Sequence, residues 1–233
     1  MKQVKPLWRS DEELFRLAKK ELFTAVVGDV LDKMGLFHQF LPPAIKALKP
    51  DMRSIGRALP VLEMDVFAEA AQGQNALSSK PFGLLFEALD DLKPNEIYVC
   101  TGASPRYALW GGLMSTRALR LKAAGAVLDG YVRDTHEIFN LRFPVFAYGS
   151  FAQDQGPRGK VMDFRVPVEI GGVRIDPGNI VFADVDGVLI IPRVAEREAF
   201  TRALEKARGE KKVRKAIEGG MSAAQAFAEF GIM

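Results

Sequence analysis

Residues 110–137 read WGGLMSTRALRLKAAGAVLDGYVRDTHE, and the fold follows from how this stretch alternates. A Gly-Gly pair at 111–112 opens a helical run predicted to reach Ala124 and to close at Gly125. Ala126 to Asp129 is a short apolar strand, Gly130 is a turn, and Arg133-Asp134 begins a second helix ending near Leu141. Gly111 and Gly112 allow close approach of backbone N–H groups to a ligand, and the helix start they open carries partial positive charge that suits a carboxylate or phosphate. Arg133 can grip a carboxylate with two parallel hydrogen bonds, and Asp134 offers hard oxygen donors to a divalent ion. The plainer alternative is a capping aspartate with a local ion pair.

Outward from this stretch, Glu96 to Thr101 and Pro144 to Tyr148 are predicted strands. The strand-helix-strand alternation from 96 to 148 predicts a partly parallel sheet in an α/β protein. Ligands of such sheets collect beyond the carboxyl ends of strands, where 101–112 and 130–134 fall. Upstream, Ser10 caps a first helix, Thr24 is expected to cap a second that Gly35 ends, and Leu41-Pro42-Pro43 is a loop. Ile55 to Met64 is predicted as a strand interrupted by Pro60. Asp65 to Ser79 fits a helix or a loop equally, and Phe82 to Leu89 is a short apolar helix. Downstream, Val166 to Ile175 is a hairpin turning at Gly171-Gly172, and Ile180 to Pro192 is a strand pair bent at Asp186-Gly187. Helices from Val194 to Ile217 and from Ser222 to Phe230 finish the chain. No linker or repeat interrupts it, so residues 1–233 are expected to form a single domain with N-terminal helices and a C-terminal helical extension.

The 233 residues are 48% apolar and 26% charged with a net charge of +3, the balance of an ordinary globular protein. No basic block interleaved with aromatic residues supports nucleic-acid binding. No stretch approaches the ~20 apolar residues of a membrane span. The single cysteine, Cys100, lies in an apolar run and is expected to be a buried thiol in a reducing cytoplasm. His38, between Phe37 and Phe40, is expected to be structural, and His136 to face solvent. Asp184 and Asp186 are expected to be turn acids at a strand end.

The order of Gly28-Asp29-Val30-Leu31-Asp32, Gly56-Arg57-Ala58, the Gly111 loop, Asp129-Gly130-Tyr131-Val132-Arg133-Asp134, Gly171-Gly172 and Ala183-Asp184-Val185-Asp186-Gly187-Val188 resembles the RraA-like family, from about Thr24 to the C-terminus. That family includes class II 4-hydroxy-4-methyl-2-oxoglutarate and 4-carboxy-4-hydroxy-2-oxoadipate aldolases. The resemblance implies a compact α/β sandwich with a swivelling β/β/α-type core, assembled as a trimer or hexamer. It implies a lyase that needs Mg²⁺ (or Mn²⁺), cleaves a 4-hydroxy-2-oxo acid to pyruvate and also decarboxylates oxaloacetate. By the same resemblance, the amides around Gly111, Gly112, Leu113 and Met114 hold the substrate carboxylate and Arg133 its carbonyl region. Asp134 anchors the metal, Glu137 takes the second-acid position, and Glu210 on the C-terminal helix matches a further acid by spacing. One departure stands out: the aldolases carry Asp or Glu with twenty residues between it and the arginine, where this chain has Gly112. Glu63, Asp65 and Glu210 are candidates to replace that acid. The family also holds proteins that bind and inhibit a ribonuclease, so a non-catalytic regulator is the rival reading; a lyase acting on a different, sugar-derived acid lies between the two.

Overall fold

The computed structural model describes residues 7–67 and 76–231. They divide into two compact units, one within Met1–Phe37 and Val194–Met233, the other His38–Arg193. The centre of the undecided stretch, 68–75, lies outside the described residues.

The larger unit is built on an eight-stranded mixed sheet. Its strands are β1 (Lys46–Ala47), β2 (Ser54–Asp65), β3 (Glu96–Thr101), β5 (Gly125–Leu128), β7 (Val145–Ala147), β8 (Gly159–Phe164), β11 (Ile180–Asp184) and β12 (Gly187–Ile191). They run in the order β1-β7-β5-β3-β2-β11-β12, with β8 also on β2. The pairs from β2 through β3 and β5 to β7 are parallel, and the flanking pairs are antiparallel. The parallel strands are buried on both faces, which is why they read as unbroken apolar runs. The segment before β1 ties the two ends of the sheet together: Leu41 N–H donates to Val188 O and Ile190 N–H to Gln39 O, while β1 itself pairs with β7. The sheet is thereby nearly closed. The helices of this unit are α3 (Leu85–Asp90), α4 (Gly112–Arg120) and α5 (Thr135–Leu141).

Pro60 does not interrupt β2, which runs through it for 12 residues. Arg57 N–H donates toward β3 and Ala58 N–H toward Asn179, so by the two-residue period position 60 faces away from β3. There it falls between the last β11 partner, Arg57, and the first β8 partner, Val61. The missing N–H costs no ladder bond, and the Pro60 carbonyl accepts from Arg165 N–H. The helix opened by Gly112 is also shorter than predicted. It stops at Arg120 because Lys122 takes a left-handed φ of 63°, and Gly125 already belongs to β5. The hairpin of β9 (Val168–Ile170) and β10 (Val173–Ile175) turns on Gly171 and Gly172, at φ 57° and 81°. His38 is exposed rather than structural, whereas Cys100 is fully buried.

The smaller unit is helical, with α1 (Asp11–Glu21), α2 (Thr24–Lys33), α6 (Glu196–Glu218) and α7 (Ala223–Phe230). Ser10 caps α1 by accepting from Glu13 N–H, and Ser222 with Gln225 forms a capping box on α7. Thr24 is not the cap of α2. The extended Phe23 (φ −140°) fills that place, and Thr24 is the first helical residue, buried. Among the described residues no helix is long and apolar enough to cross a membrane.

Candidate active site

Two very short strands assemble the site. β4 (Ala108–Trp110) pairs in parallel with β6 (Tyr131–Val132), with Trp110 opposite Val132. The residues leaving the two strands must therefore emerge side by side: Gly111-Gly112 from β4 and Arg133-Asp134 from β6. Arg133 N–H donates to Trp110 O at 2.9 Å, fixing the register. Trp110 is an anchor: it is 1% exposed, stacks on Phe143 at 5.9 Å and donates its indole N–H to Ser115 Oγ at 2.7 Å.

The two loops then engage directly. Gly112 N–H donates to Asp134 Oδ2 at 3.2 Å, and Asp134 Oδ2 also lies 3.5 Å from Arg133 Nε. Asp134 holds a left-handed backbone (φ 54°) as the N-cap of α5, and its carbonyl accepts from Glu137 and Ile138 N–H. Arg133 Nη1 donates to Asp154 Oδ1 from the loop before β8, and Gly156 N–H holds the other Asp154 oxygen at 2.9 Å. The N–H groups of Leu113 and Met114 sit in the first turn of α4, where no helix carbonyl reaches them.

The space left by the missing loop acid is filled. A Cβ added at Gly112 would stand 2.0 Å from Glu137 Oε2 and 2.7 Å from its Cδ. At Gly111 a Cβ would meet Asp134 Oδ2 at 2.9 Å. The two consecutive glycines thus admit one carboxylate each against the backbone, and Glu137 lies where a side chain at 112 would begin. Asp134, Glu137 and Asp154 against Arg133 leave this corner two charges negative. Among the described residues no three His, Cys, Asp or Glu side chains converge on one point. Asp134 and Glu137 are the oxygen donors that this corner could offer to a divalent ion, and Mg²⁺ is an ion that binds through one or two carboxylates and retains several waters.

A cleft of about 290 Å³ opens over this corner, floored by Gly111, Arg133, Asp134 and Asp154 and walled by Phe82, Leu85, Phe86, Leu113 and Met114. Gly111, Gly112, Leu113, Met114, Arg133, Asp134 and Glu137 are therefore neighbours in space. Glu210 lies in the helical unit, on α6, where Lys206 pairs with it at 3.1 Å. Asp65 accepts from Ser104 N–H and Arg106, and Glu63 is buried beside Cys100; neither lines the cleft. Burial pushes the Glu63 carboxyl up to about 8, with the Tyr107 and Cys100 contacts acting in the opposite direction. His136 is exposed, with Nδ1 on Asn140 Nδ2 at 3.2 Å, and Asp184 accepts from Asp186 N–H as a turn acid. Neither Asp154 nor the Phe82–Phe86 wall is marked in the amino-acid pattern: Gln-Asp-Gln-Gly at 153–156 is an ordinary polar loop by composition, with no spacing that singles out its acid.

Residues 24–190 match the family model described as RraA-like, Aldolase/RraA. The chain belongs to the RraA-like family. A Halalkalibacterium halodurans protein that carries the provisional name 4-hydroxy-4-methyl-2-oxoglutarate aldolase is 29% identical over 208 residues, covering 88% of this chain and 90% of its own. Protein DlpA of Legionella pneumophila is 29% identical over 204 residues, 87% of this chain, but the chain spans only 31% of DlpA. Among solved structures, an uncharacterized Pseudomonas syringae protein superposes with a TM-score of 0.81 at 25% identity, over 99% of this chain and 100% of that one. The mixed, nearly closed sheet is therefore the RraA-like fold, with provisionally named aldolases among the relatives.

Proposed function

We propose that this protein is a divalent-metal-dependent carbon–carbon lyase that releases pyruvate from a 4-hydroxy-2-oxo acid, with oxaloacetate decarboxylation as a second activity of the same site. The observation that supports it most is the pairing of β4 with β6, which brings the start of α4, the Arg133 guanidinium and the Asp134 carboxylate to a single cleft that Asp154 also lines. In this reading the Leu113 and Met114 amides and the Arg133 guanidinium take the substrate carboxylate, and Arg133 also reaches the adjoining carbonyl oxygen. Asp134 and Glu137 would hold Mg²⁺ or Mn²⁺, which when bound supplies Lewis-acid stabilisation of charge on the 2-oxo group. Arg133 stands where negative charge grows as the C3–C4 bond breaks and its electron pair becomes the pyruvate enolate. Among the side chains at this corner the proton acceptors are the carboxylates, since His136 turns toward Asn140. A trimer or hexamer in a cytoplasmic setting goes with this assignment.

The test is pyruvate release from 4-hydroxy-4-methyl-2-oxoglutarate, 4-hydroxy-4-methyl-2-oxopentanoate and oxaloacetate, with Asp134→Ala as the control. Release that the variant loses supports the lyase. No release from any of the three would remove it and favour the ribonuclease-binding reading.

A further inference from the structure

Glu63 inverts the pattern of its strand. The β2–β8 ladder shifts register between Leu62 and Glu63, and around that shift Leu62 and Met64 are 39% and 44% exposed while Glu63 is 1% exposed. Its carboxyl is packed by hydroxyl, thiol and acid groups. Tyr98 and Cys100 face it from β3, with Cys100 Sγ 3.6 Å from Oε2, and Tyr107 faces it from the segment before β4. The charge that acts on it is that of Asp65, which Arg106 pairs from outside. On β8, Lys160 turns its ammonium to Lys80 O at 2.6 Å. Tyr107 OH and Glu63 Oε1 both press on Gly159, where a Cβ would stand 1.9 Å and 2.6 Å from them. This contact brackets one loop. Ala108, next to Tyr107, donates its N–H to Gln153 O at 2.9 Å, and Gly159 and Arg158 N–H both donate to Gln155 O, at 2.9 and 2.7 Å. Between those ties lies Asp154, whose carbonyl accepts from Arg158 Nη1 at 3.0 Å and whose carboxylate accepts from Arg133.

From this geometry we infer that Glu63 is a positioning residue of the cleft, acting through Tyr107 and Gly159 on the 153–159 loop that sets Asp154 beside Arg133. Glu63 itself does not line the cleft. Uncharged, its carboxyl suits a buried site of two phenols and a thiol. Charged, it needs hydrogen-bond donors or water and is repelled by Asp65. Drawing Tyr107 closer, or admitting water, changes the contact on Gly159, which has no width of a side chain to spare. Ala108 carries the same shift to Gln153. Asp154 then moves from Arg133, so the grip on a ligand weakens more than the chemistry.

Burial pushes the Glu63 carboxyl up to about 8, so at pH 9 about nine-tenths of the molecules carry the charge. The experiment measures hydrogen exchange of the 153–159 amides, as protection factors at pH 7 and pH 9, in wild type and Glu63→Gln, beside kcat and KM for pyruvate release. At pH 9 wild type is expected to lose about 10-fold in loop protection relative to the β3 amides. KM should rise about 10-fold, with kcat moved less, because only the uncharged tenth holds Arg133 in place. Glu63→Gln, uncharged at every pH, should show neither change. The kinetic arm rests on the lyase reading and the exchange arm does not, so silence toward every substrate would remove the lyase and leave exchange to decide. Equal wild-type protection at both pH values, or the same fall in Glu63→Gln, would overturn the positioning role. Should Glu63→Gln fail to fold, judged by circular dichroism, Tyr107→Phe lacks the hydroxyl between Glu63 and Gly159 and should blunt the fall; an undiminished fall there would overturn the role as well.

Discussion

Replacing Gly112 by alanine separates stability from activity in this site. The new Cβ would lie 2.0 Å from Glu137 Oε2, 2.7 Å from Cδ and 3.1 Å from Cγ, far inside contact distance. It meets the far end of an exposed, flexible side chain, so Glu137 can swing into solvent at little cost to the fold. Exchange of glycine for alanine in a helix also contributes about 0.5–1 kcal/mol of stability. Net stability should therefore stay within about 1 kcal/mol of wild type, a change in Tm of no more than ~2–4 °C for a chain of this size. Activity should fall, because the carboxylate against α4 has gone. Losses at such metal-supporting groups run to about 10–100-fold. The assay is thermal unfolding alongside kcat/KM for pyruvate release at saturating Mg²⁺. Glu137→Gln should lose a similar amount, and the double variant should be scarcely worse than either single one, since both remove the same interaction. Gly112→Asp, which returns a carboxylate to the loop, should lose less than Gly112→Ala. Wild-type activity in Gly112→Ala, or fully additive losses in the double variant, would overturn the role given to Glu137.

Other substitutions probe the same corner and the core behind it. Asp134→Asn keeps a residue that tolerates the left-handed backbone and should fold normally while losing pyruvate release; Asp134→Ala should lose in addition about 1 kcal/mol of stability, read in urea unfolding. Arg133→Lys keeps the charge but not the planar two-bond grip, and should lower kcat/KM about 10- to 100-fold, chiefly through KM; an unchanged KM would place the substrate carboxylate elsewhere. Glu63 gives a pH signature. The folded state keeps the proton up to about pH 8, whereas the unfolded chain releases it near 4.5, so stability falls as pH rises through that window. The part lost by pH 8 is about 3–5 kcal/mol, and urea midpoints at pH 5 and pH 8.5 should show Glu63→Gln without that slope. The same pH dependence in the variant would assign it to another group.

The parallel strands were legible because burial on both faces leaves only one kind of pattern: Glu96 to Thr101 appears in the structure with the boundaries its apolar run implied. The hairpin at Gly171-Gly172 was legible for a different reason, since only glycine takes consecutive positive φ angles at no cost. The strands that matter most for the site were not. β4 and β6 are three and two residues long, too short for any periodicity, yet their pairing is what sets Gly111 beside Arg133. Pro60 misled because its effect depends on which edge of β2 lacks a partner, a fact of the whole sheet. Asp154 was invisible because it reaches Arg133 across 21 positions from a loop whose local chemistry is that of any polar turn.

The decisive measurement is pyruvate formation from 4-hydroxy-4-methyl-2-oxoglutarate, 4-hydroxy-4-methyl-2-oxopentanoate and oxaloacetate by wild-type protein, above the no-protein rate, with Mg²⁺, with EDTA, and with Mg²⁺ restored. A lyase using the Asp134 and Glu137 carboxylates for its metal predicts release in Mg²⁺, loss in EDTA and recovery on restoration. Release undiminished by EDTA, or no release from folded protein in Mg²⁺, would rule that lyase out.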